Sequence, residues 1–451
     1  MNTALRLLCL LAYLTAGGIL PAQPVVTPPN FDVQLLAGGI PMTFGLSTMA
    51  VDRFGNVYVL DEPPQPMGIG PRVHRIRRNG VVDLDHAVFF GDTGQMAYHP
   101  LDGHVYVVET QPILPVINST VHRIEPGGGA TMVVNVPVVA EGFTIDNAGN
   151  MFFGGMGLQG PGLYMLPAGS TSLVFVGPGF GGNEILQALV SGDVLIADAN
   201  EVRRWTPGAL VPVPYWQGPP VFPNSIALVN SLARTPFNQI GSGAVIGHRT
   251  LDTFCLCGDG TAVTADLLGN NASVFATESY TLPDRGLAGV ASGLRQDLYW
   301  ATLVAAPGGG IALDVYRIRQ VAAHGSHGSL LVDVGGGVMT VHFYGDPAGG
   351  DPLLVGVQLV PSPVPVGGIF IPPFGVLELN PLSPSYFPLL DGIGVFGPPN
   401  PFAVIPGGGH FVFALSVPPL NLSFRAEGVI LDPQHAVNGS FTISNVDSFT
   451  L

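Results

Sequence analysis

Apolar residues come along this chain in short runs, each cut by Gly, Pro, Asp or Asn, and one kind of cut recurs. An apolar run, a turn of the form Asp-x-x-Gly-Asn and a second apolar run appear in Met49–Val59, around Asp52 and Gly55-Asn56. They appear again in Phe143–Phe153, around Asp146 and Gly149-Asn150. Ala97–Val107 is a variant with Asp102-Gly103, and Ala188–Ile196 a shorter form with Gly192-Asp193. This is the pattern of a β-hairpin, in which Gly takes a positive φ at the reversal and the Asp or Asn side chain caps the turn.

A second phrase follows the first. It reads Val73-His74-Arg75-Ile76, Val121-His122-Arg123-Ile124, Leu163-Tyr164-Met165-Leu166, Val202-Arg203-Arg204-Trp205, Thr253-Phe254-Cys255-Leu256 and Val315-Tyr316-Arg317-Ile318. Successive starts lie 48, 42, 39, 51 and 62 residues apart. Two phrases kept in fixed order at such a period predict repeated units of four short strands, the content of a propeller blade. Six units fit between about residues 31 and 320, so the expected fold is all-β: a six-bladed β-propeller. Asn224–Gly247 and Gly286–Thr302 lack the turn phrase, which makes the last two units the least regular. Phe31–Leu36 is expected to complete the last blade by pairing with the segment around Val315–Ile318.

From about residue 322 the phrases stop. His324–Ser329 reads as a polar linker, and residues 320–451 hold one arginine, Arg425. Strand-like runs at Leu353–Leu359, Gly368–Ile371, Gly375–Leu379, His410–Val417 and Phe424–Leu431, separated by Pro-rich reversals, predict a smaller β-sandwich. The division is therefore a signal peptide over 1–22, a propeller over 23–321 and a sandwich over 322–451. Arg6, the apolar Leu7–Leu20 and the small-residue end at Ala22 form the secretory signal. Its apolar core is too short to span a bilayer, and no later run reaches spanning length. The mature chain is expected to be exported and monomeric, in the periplasm, at the cell surface or secreted, with no transmembrane segment.

Composition narrows the chemistry. The chain has 451 residues and a formal charge of −15; all 16 of its basic residues are arginine. Without lysine, Schiff-base, Walker-loop and kinase-type chemistry are excluded. The acidic excess argues against a nucleic-acid partner. Gly (62) and Pro (43) disfavour long helices. A mean hydropathy of +0.42 with 47% hydrophobic residues argues against disorder. Cys255 and Cys257 sit two apart, nearly 7 Å along a strand, too far for an undistorted disulfide, and read as two partly buried thiols or as a strained redox-active bridge. Arg75, Arg77 and Arg78 read as partners of nearby acids, and the repeat-equivalent His74 and His122 as packing residues. No hydrolase elbow, zinc-protease or dinucleotide motif is present.

The turn phrase with its closing Val-x-Arg-Ile strand resembles the NHL-repeat propellers and the related gluconolactonase and senescence-marker-protein propellers, over roughly 290 residues. The C-terminal part loosely resembles sandwich domains appended to secreted bacterial proteins. The gluconolactonase resemblance implies a divalent cation such as Ca²⁺ in the central channel, held by oxygen ligands. The corresponding residues here are Glu141, Asn183, Asn224 and Asp284, and such a metal would polarise a lactone carbonyl and activate water. Departures from the pattern are Ser225 after Asn224, Arg285 after Asp284, and Thr43-Phe44-Gly45 where the first blade would carry a glutamate. The same polar residues also read as the lining of a hydrated channel with no cofactor. Two functions follow: a non-catalytic propeller binding a protein or glycan partner through its loop face, or a cation-dependent lactone hydrolase.

Overall fold

The structure is a computed structural model. It describes residues 23–27, 31–43, 46–52, 54–62, 70–110, 118–178, 185–189, 191–219, 225–234, 243–252, 257–266, 268–270, 272–280, 286–293, 297–306, 310–320, 329–335, 337–344, 350–360, 369–371, 375–377, 379, 381–407, 410–418, 422–431, 441–444 and 447–450. The signal peptide expected over 1–22 lies outside them. Among the described residues there is no helix, and so none long and apolar enough to cross a membrane.

The chain is an all-β propeller. Its first sheet runs Leu46–Val51, Val57–Asp61, Arg72–Ile76 and Val82–Val88. The second runs Asp92–Tyr98, Val105–Thr110, Ser119–Ile124 and Ala130–Val136, and the third Val138–Ile145, Met151–Gly157, Gly160–Leu166 and Val174–Pro178. The fourth comprises Ile185–Ala188, Val194–Asp198, Glu201–Trp205 and Val213–Gln217. The fifth comprises Ser225–Arg234, Ala244–Asp252, Cys257–Ala265 and Ser273–Tyr280, with Val25–Val26 added outside. Gly286–Ser292, Asp297–Ala305 and Ile311–Gln320 form the sixth, whose outer strand is Phe31–Met42 from the other end of the chain. The expected N-terminal pairing is therefore present, with Val33 opposite Ile318 and Leu35 opposite Tyr316.

The first strand of each sheet contacts the first strand of the next, and Gly286–Ser292 returns to Leu46–Val51. Side-chain burial follows the same cycle. Tyr58, Leu60, Met96 and Val107 join the first and second sheets. Val108, Phe143 and Phe153 join the second and third, and Phe152, Ile196 and Trp205 the third and fourth. Leu195, Ile246 and Val263 join the fourth and fifth, and Phe275, Trp300 and Ile318 the fifth and sixth. Ile40, Val57, Val59 and Leu313 pack the sixth against the first. Strands that lie between two packed sheets bury both faces, which is why Val57–Asp61 and Val105–Thr110 are buried at every position.

The hairpin turns form as the phrases predict. Asp146 Oδ1 accepts the backbone N–H groups of Ala148 and Asn150 at 2.9 Å each, and Asn150 Nδ2 donates to Oδ2 at 2.8 Å. Asp52 repeats this with Phe54 and Asn56. Gly55 and Gly149 occupy the left-handed region at φ 82° and 83°, where a side chain would be strained.

In the fifth sheet the third strand is Cys257–Ala265, and the phrase Thr253–Leu256 with Cys255 lies outside the described residues. The glycines of Cys257-Gly258-Asp259-Gly260 hid a strand that has no long apolar run. That sheet does carry a turn phrase, Asp266–Asn270, but between its third and fourth strands.

Beyond Gln320, Ser329–Gly335, Val338–Tyr344 and His410–Ser416 form one antiparallel sheet. Tyr386–Asp391, Leu353–Val360 and Ser423–Leu431 form another, edged by Phe441–Ile443 and Asp447–Thr450. Leu330, Val341 and Phe343 of the first meet Val355, Ala426 and Ile430 of the second in one core.

Candidate functional site

Among the described residues five innermost strands carry a β-bulge. The register shifts between Leu46 and Thr48, Thr93 and Met96, Ala140 and Gly142, Val229 and Ser231, and Leu287 and Gly289. A bulge places one or two unpaired residues against the neighbouring strand and turns their side chains off the regular alternation. Here the inserted residues include Gly94 and Gln95, Glu141, Asn230 and Ala288, and all of them line one central cavity of about 820 Å³. The repeat therefore builds the site by repeating the same irregularity.

Four carboxylates stand in its wall, one from each of the first four sheets: Glu62, Asp92, Glu141 and Asp198. Glu62 Oε1 accepts the N–H of Thr93 at 3.0 Å, which fixes one of them at the junction of the first two sheets. Gln95 ties three consecutive sheets together. Its Oε1 accepts the N–H groups of Leu186 (2.8 Å) and Phe143 (3.2 Å), and its Nε2 donates to the Leu186 carbonyl at 2.7 Å. On the opposite side, Asn230 donates to the Leu287 carbonyl at 2.9 Å, and the Ser231 hydroxyl accepts the Val290 N–H at 3.0 Å. At the far end of the same strand Arg234 donates to the Ala188 carbonyl and to Asn147 Oδ1, both at 2.7 Å.

Of the residues expected to hold a metal, Glu141 lines the cavity. It sits inside the strand Val138–Ile145 at the bulge, rather than ahead of the strand. Asn183, Asn224 and Asp284 lie outside the described residues. Among the described residues no three His, Cys, Asp or Glu side chains are grouped closely enough to hold a metal ion. Sequence reasoning missed Gln95 and Asn230 because a bulge has no signature of its own. It missed Glu62, Asp92 and Asp198 because acids at strand ends resemble ordinary turn residues.

The histidines and arginines of the third strands are structural. Burial pushes the buried His74 below the usual histidine range, and its Nδ1 accepts the Asp85 N–H at 2.9 Å. His122 lies 2.8 Å from Glu109, and that contact holds the Glu109 carboxyl below its ordinary value. Arg75 and Arg77 share Asp83, whose carboxyl the Arg77 hydrogen bond brings down to about 2.

No family model and no curated protein matches the sequence. Among solved structures, a gluconolactonase from Xanthomonas campestris superposes with a TM-score of 0.42 at 14% identity, covering 67% of this chain and 98% of that one. An auxiliary nutrient binding protein from Bacteroides thetaiotaomicron gives 0.41 at 11% identity, with 64% and 76% covered. The calcium-binding protein regucalcin from Agrobacterium tumefaciens gives 0.39 at 11% identity, with 64% and 95% covered.

Proposed function

We propose that this is an exported, monomeric six-bladed propeller of the NHL-repeat kind that binds a protein or glycan partner. The loop face and the central cavity beneath it would receive the partner. The proposed division is a signal peptide over 1–22, the propeller over 23–321, closed by the strand Phe31–Met42, and an accessory β-sandwich over 322–451. The observation that carries the binding reading is the bulge-built cavity: four carboxylates, two amides and hydroxyls line it from sheets far apart in sequence. Concave sites with a few fixed polar groups are where ligands gather, although a fold by itself assigns no function.

The test is a glycan array and a cell-surface protein pull-down with the purified mature chain and with Leu228→Trp. Leu228 lines the cavity and is 40% exposed, so the indole fills the cavity at little cost to folding. Ligands retained by the wild type and lost by Leu228→Trp support the reading, and retention by both overturns it.

A second reading is a cation-dependent lactone hydrolase using Glu141, Asn183, Asn224 and Asp284. Its support is the position of Glu141 on the cavity wall. Ca²⁺ would then raise the melting temperature, and chelator-sensitive lactone hydrolysis would vanish in Glu141→Gln. A melting temperature that ignores Ca²⁺ removes this reading.

A further inference from the structure

The sheet formed by Ser329–Gly335, Val338–Tyr344 and His410–Ser416 carries two histidines whose ring nitrogens meet. His342 Nδ1 and His410 Nε2 lie 3.2 Å apart. The register explains the meeting. His342 stands opposite Val412 and His410 opposite Tyr344, so the two are diagonal neighbours on adjacent antiparallel strands. A two-residue offset puts both on the same side of the sheet. That side is the outer one, because Met339, Val341 and Phe343, which alternate with His342, are buried. His342 is half-buried and His410 exposed.

The rings hold a particular geometry. Their planes lie within 18° of each other and their centroids are 5.4 Å apart. That separation is near the most that a 3.2 Å gap between these two nitrogens allows. The rings therefore lie edge to edge, each nitrogen aimed at the other, and not face to face. The gap has room for one hydrogen: one ring donates its N–H and the other accepts with its lone pair. Taking that hydrogen away leaves two facing lone pairs, held by two strands of one sheet.

We propose that His342 and His410 form a two-imidazole site for a divalent transition-metal ion of the Cu²⁺, Ni²⁺ or Zn²⁺ class. Two nitrogens bound to one such ion, at angles between square-planar and tetrahedral, lie about 2.8 to 3.4 Å apart. The observed spacing falls inside that range, so the backbone already sets the bite. The ion sits to one side of the line between the nitrogens, and the outward-facing rings turn about their side-chain torsions to meet it. The bridging hydrogen moves to the other nitrogen of its own ring, so both imidazoles stay neutral. Imidazole nitrogen favours these ions over Ca²⁺ and Mg²⁺, which take oxygen ligands. Among the described residues no third His, Cys, Asp or Glu joins the pair, so water completes the coordination. The site is thus open and exchangeable, and it shares no residue with the central cavity.

The experiment is titration of the full mature chain with Cu²⁺, followed by calorimetry and by electron paramagnetic resonance. The wild type should take up the ion saturably, with hyperfine structure from two imidazole nitrogens. His342→Asn and His410→Asn each leave one imidazole. Affinity should then fall about a hundredfold as the second attachment is lost, and the spectrum should show a single nitrogen. His324 and His327, three residues apart in the sequence before this sheet, are the control. The double variant His324→Ala, His327→Ala should bind Cu²⁺ as the wild type does. Circular dichroism melts confirm that each variant is folded. Affinity and spectrum unchanged in both strand variants, loss of the ion only in the His324 and His327 double variant, or no saturable Cu²⁺ binding overturns the proposal.

Discussion

The side chain of Gln95 closes a two-point clasp on the backbone of Leu186, receiving its N–H at 2.8 Å and donating to its carbonyl at 2.7 Å, across 91 residues of sequence. The second and fourth sheets are not neighbours in the cycle, so this bond spans the inner strand of the third sheet, which the same Gln95 oxygen touches at Phe143. Gln95→Leu leaves the Leu186 N–H and carbonyl without this partner. Water in the cavity recovers part of the loss, and the net cost is about 2 kcal/mol. Urea denaturation measures it. A change below about 0.5 kcal/mol would show that the clasp adds nothing to the ring.

Glu278 is buried between the fifth and sixth sheets, where Trp300 Nε1 and the Thr302 hydroxyl each donate to its Oε2 at 3.0 Å. Burial, with the nearby Asp314 adding to it, pushes this carboxyl up to about 7, against 4.5 for an ordinary glutamate. Between these values the folded protein holds a proton that the unfolded chain releases. Stability contributed by this group is therefore lost as pH rises from about 4.5 through about 7, and the loss is complete above that. Its size is on the order of 3 kcal/mol. Glu278→Gln keeps the acceptor for Trp300 and cannot ionise. Its melting temperature should match the wild type near pH 5 and exceed it at pH 8. Parallel melting curves across that range would refute the assignment.

The Asx turns should matter individually. Asp146 is 7% exposed and caps Ala148 and Asn150 with one oxygen while holding the Asn150 amide with the other. Asp146→Ala strands two backbone donors and one amide in a buried turn and should cost about 2 to 3 kcal/mol in chemical denaturation. Asp146→Asn keeps one acceptor for the backbone and should recover at least half. Failure of Asn to outperform Ala would mean that the turn is held by Gly149 alone.

These turns were readable in the sequence because each is a local device: Asp, Gly and Asn act within five residues, so their spacing is their structure. The arginines of the third strands were readable for a related reason, since Arg75, Arg123, Arg204 and Arg317 recur in phase and each finds a polar partner nearby, in Asp83, Glu125, Asp193 and Gln34. The site was far less visible. Glu141 was reached through the gluconolactonase resemblance, but Asn230, set at the matching bulge of the fifth sheet, was not. Attention fell instead on Asn224, six residues earlier, because the start of a strand can be read from composition and a bulge cannot. Gln95 was invisible because its partners lie 48 and 91 residues away. In the fifth sheet the turn phrase moved to a different hairpin, at Asp266–Asn270, so a search keyed to the first hairpin passed over it.

Ring closure gives the last prediction. The strand Phe31–Met42 is the outer edge of the sixth sheet, yet its two halves face different surroundings. Ile40 is 2% exposed, pairs with Leu313 and packs against Val57 and Val59 of the first sheet, whereas Leu35 is 50% exposed opposite Tyr316. If the N-terminal strand locks the ring, Ile40→Ala opens a cavity at the junction of the last and first sheets and should cost about 3 kcal/mol. Leu35→Ala removes only half-buried area on the edge of the same strand and should cost less than about 1 kcal/mol. Denaturation of both variants, read by tryptophan fluorescence from the buried Trp300 nearby, separates the two. Equal and small effects would mean that the strand merely lies on the sixth sheet, and that the remaining sheets hold the ring together without it.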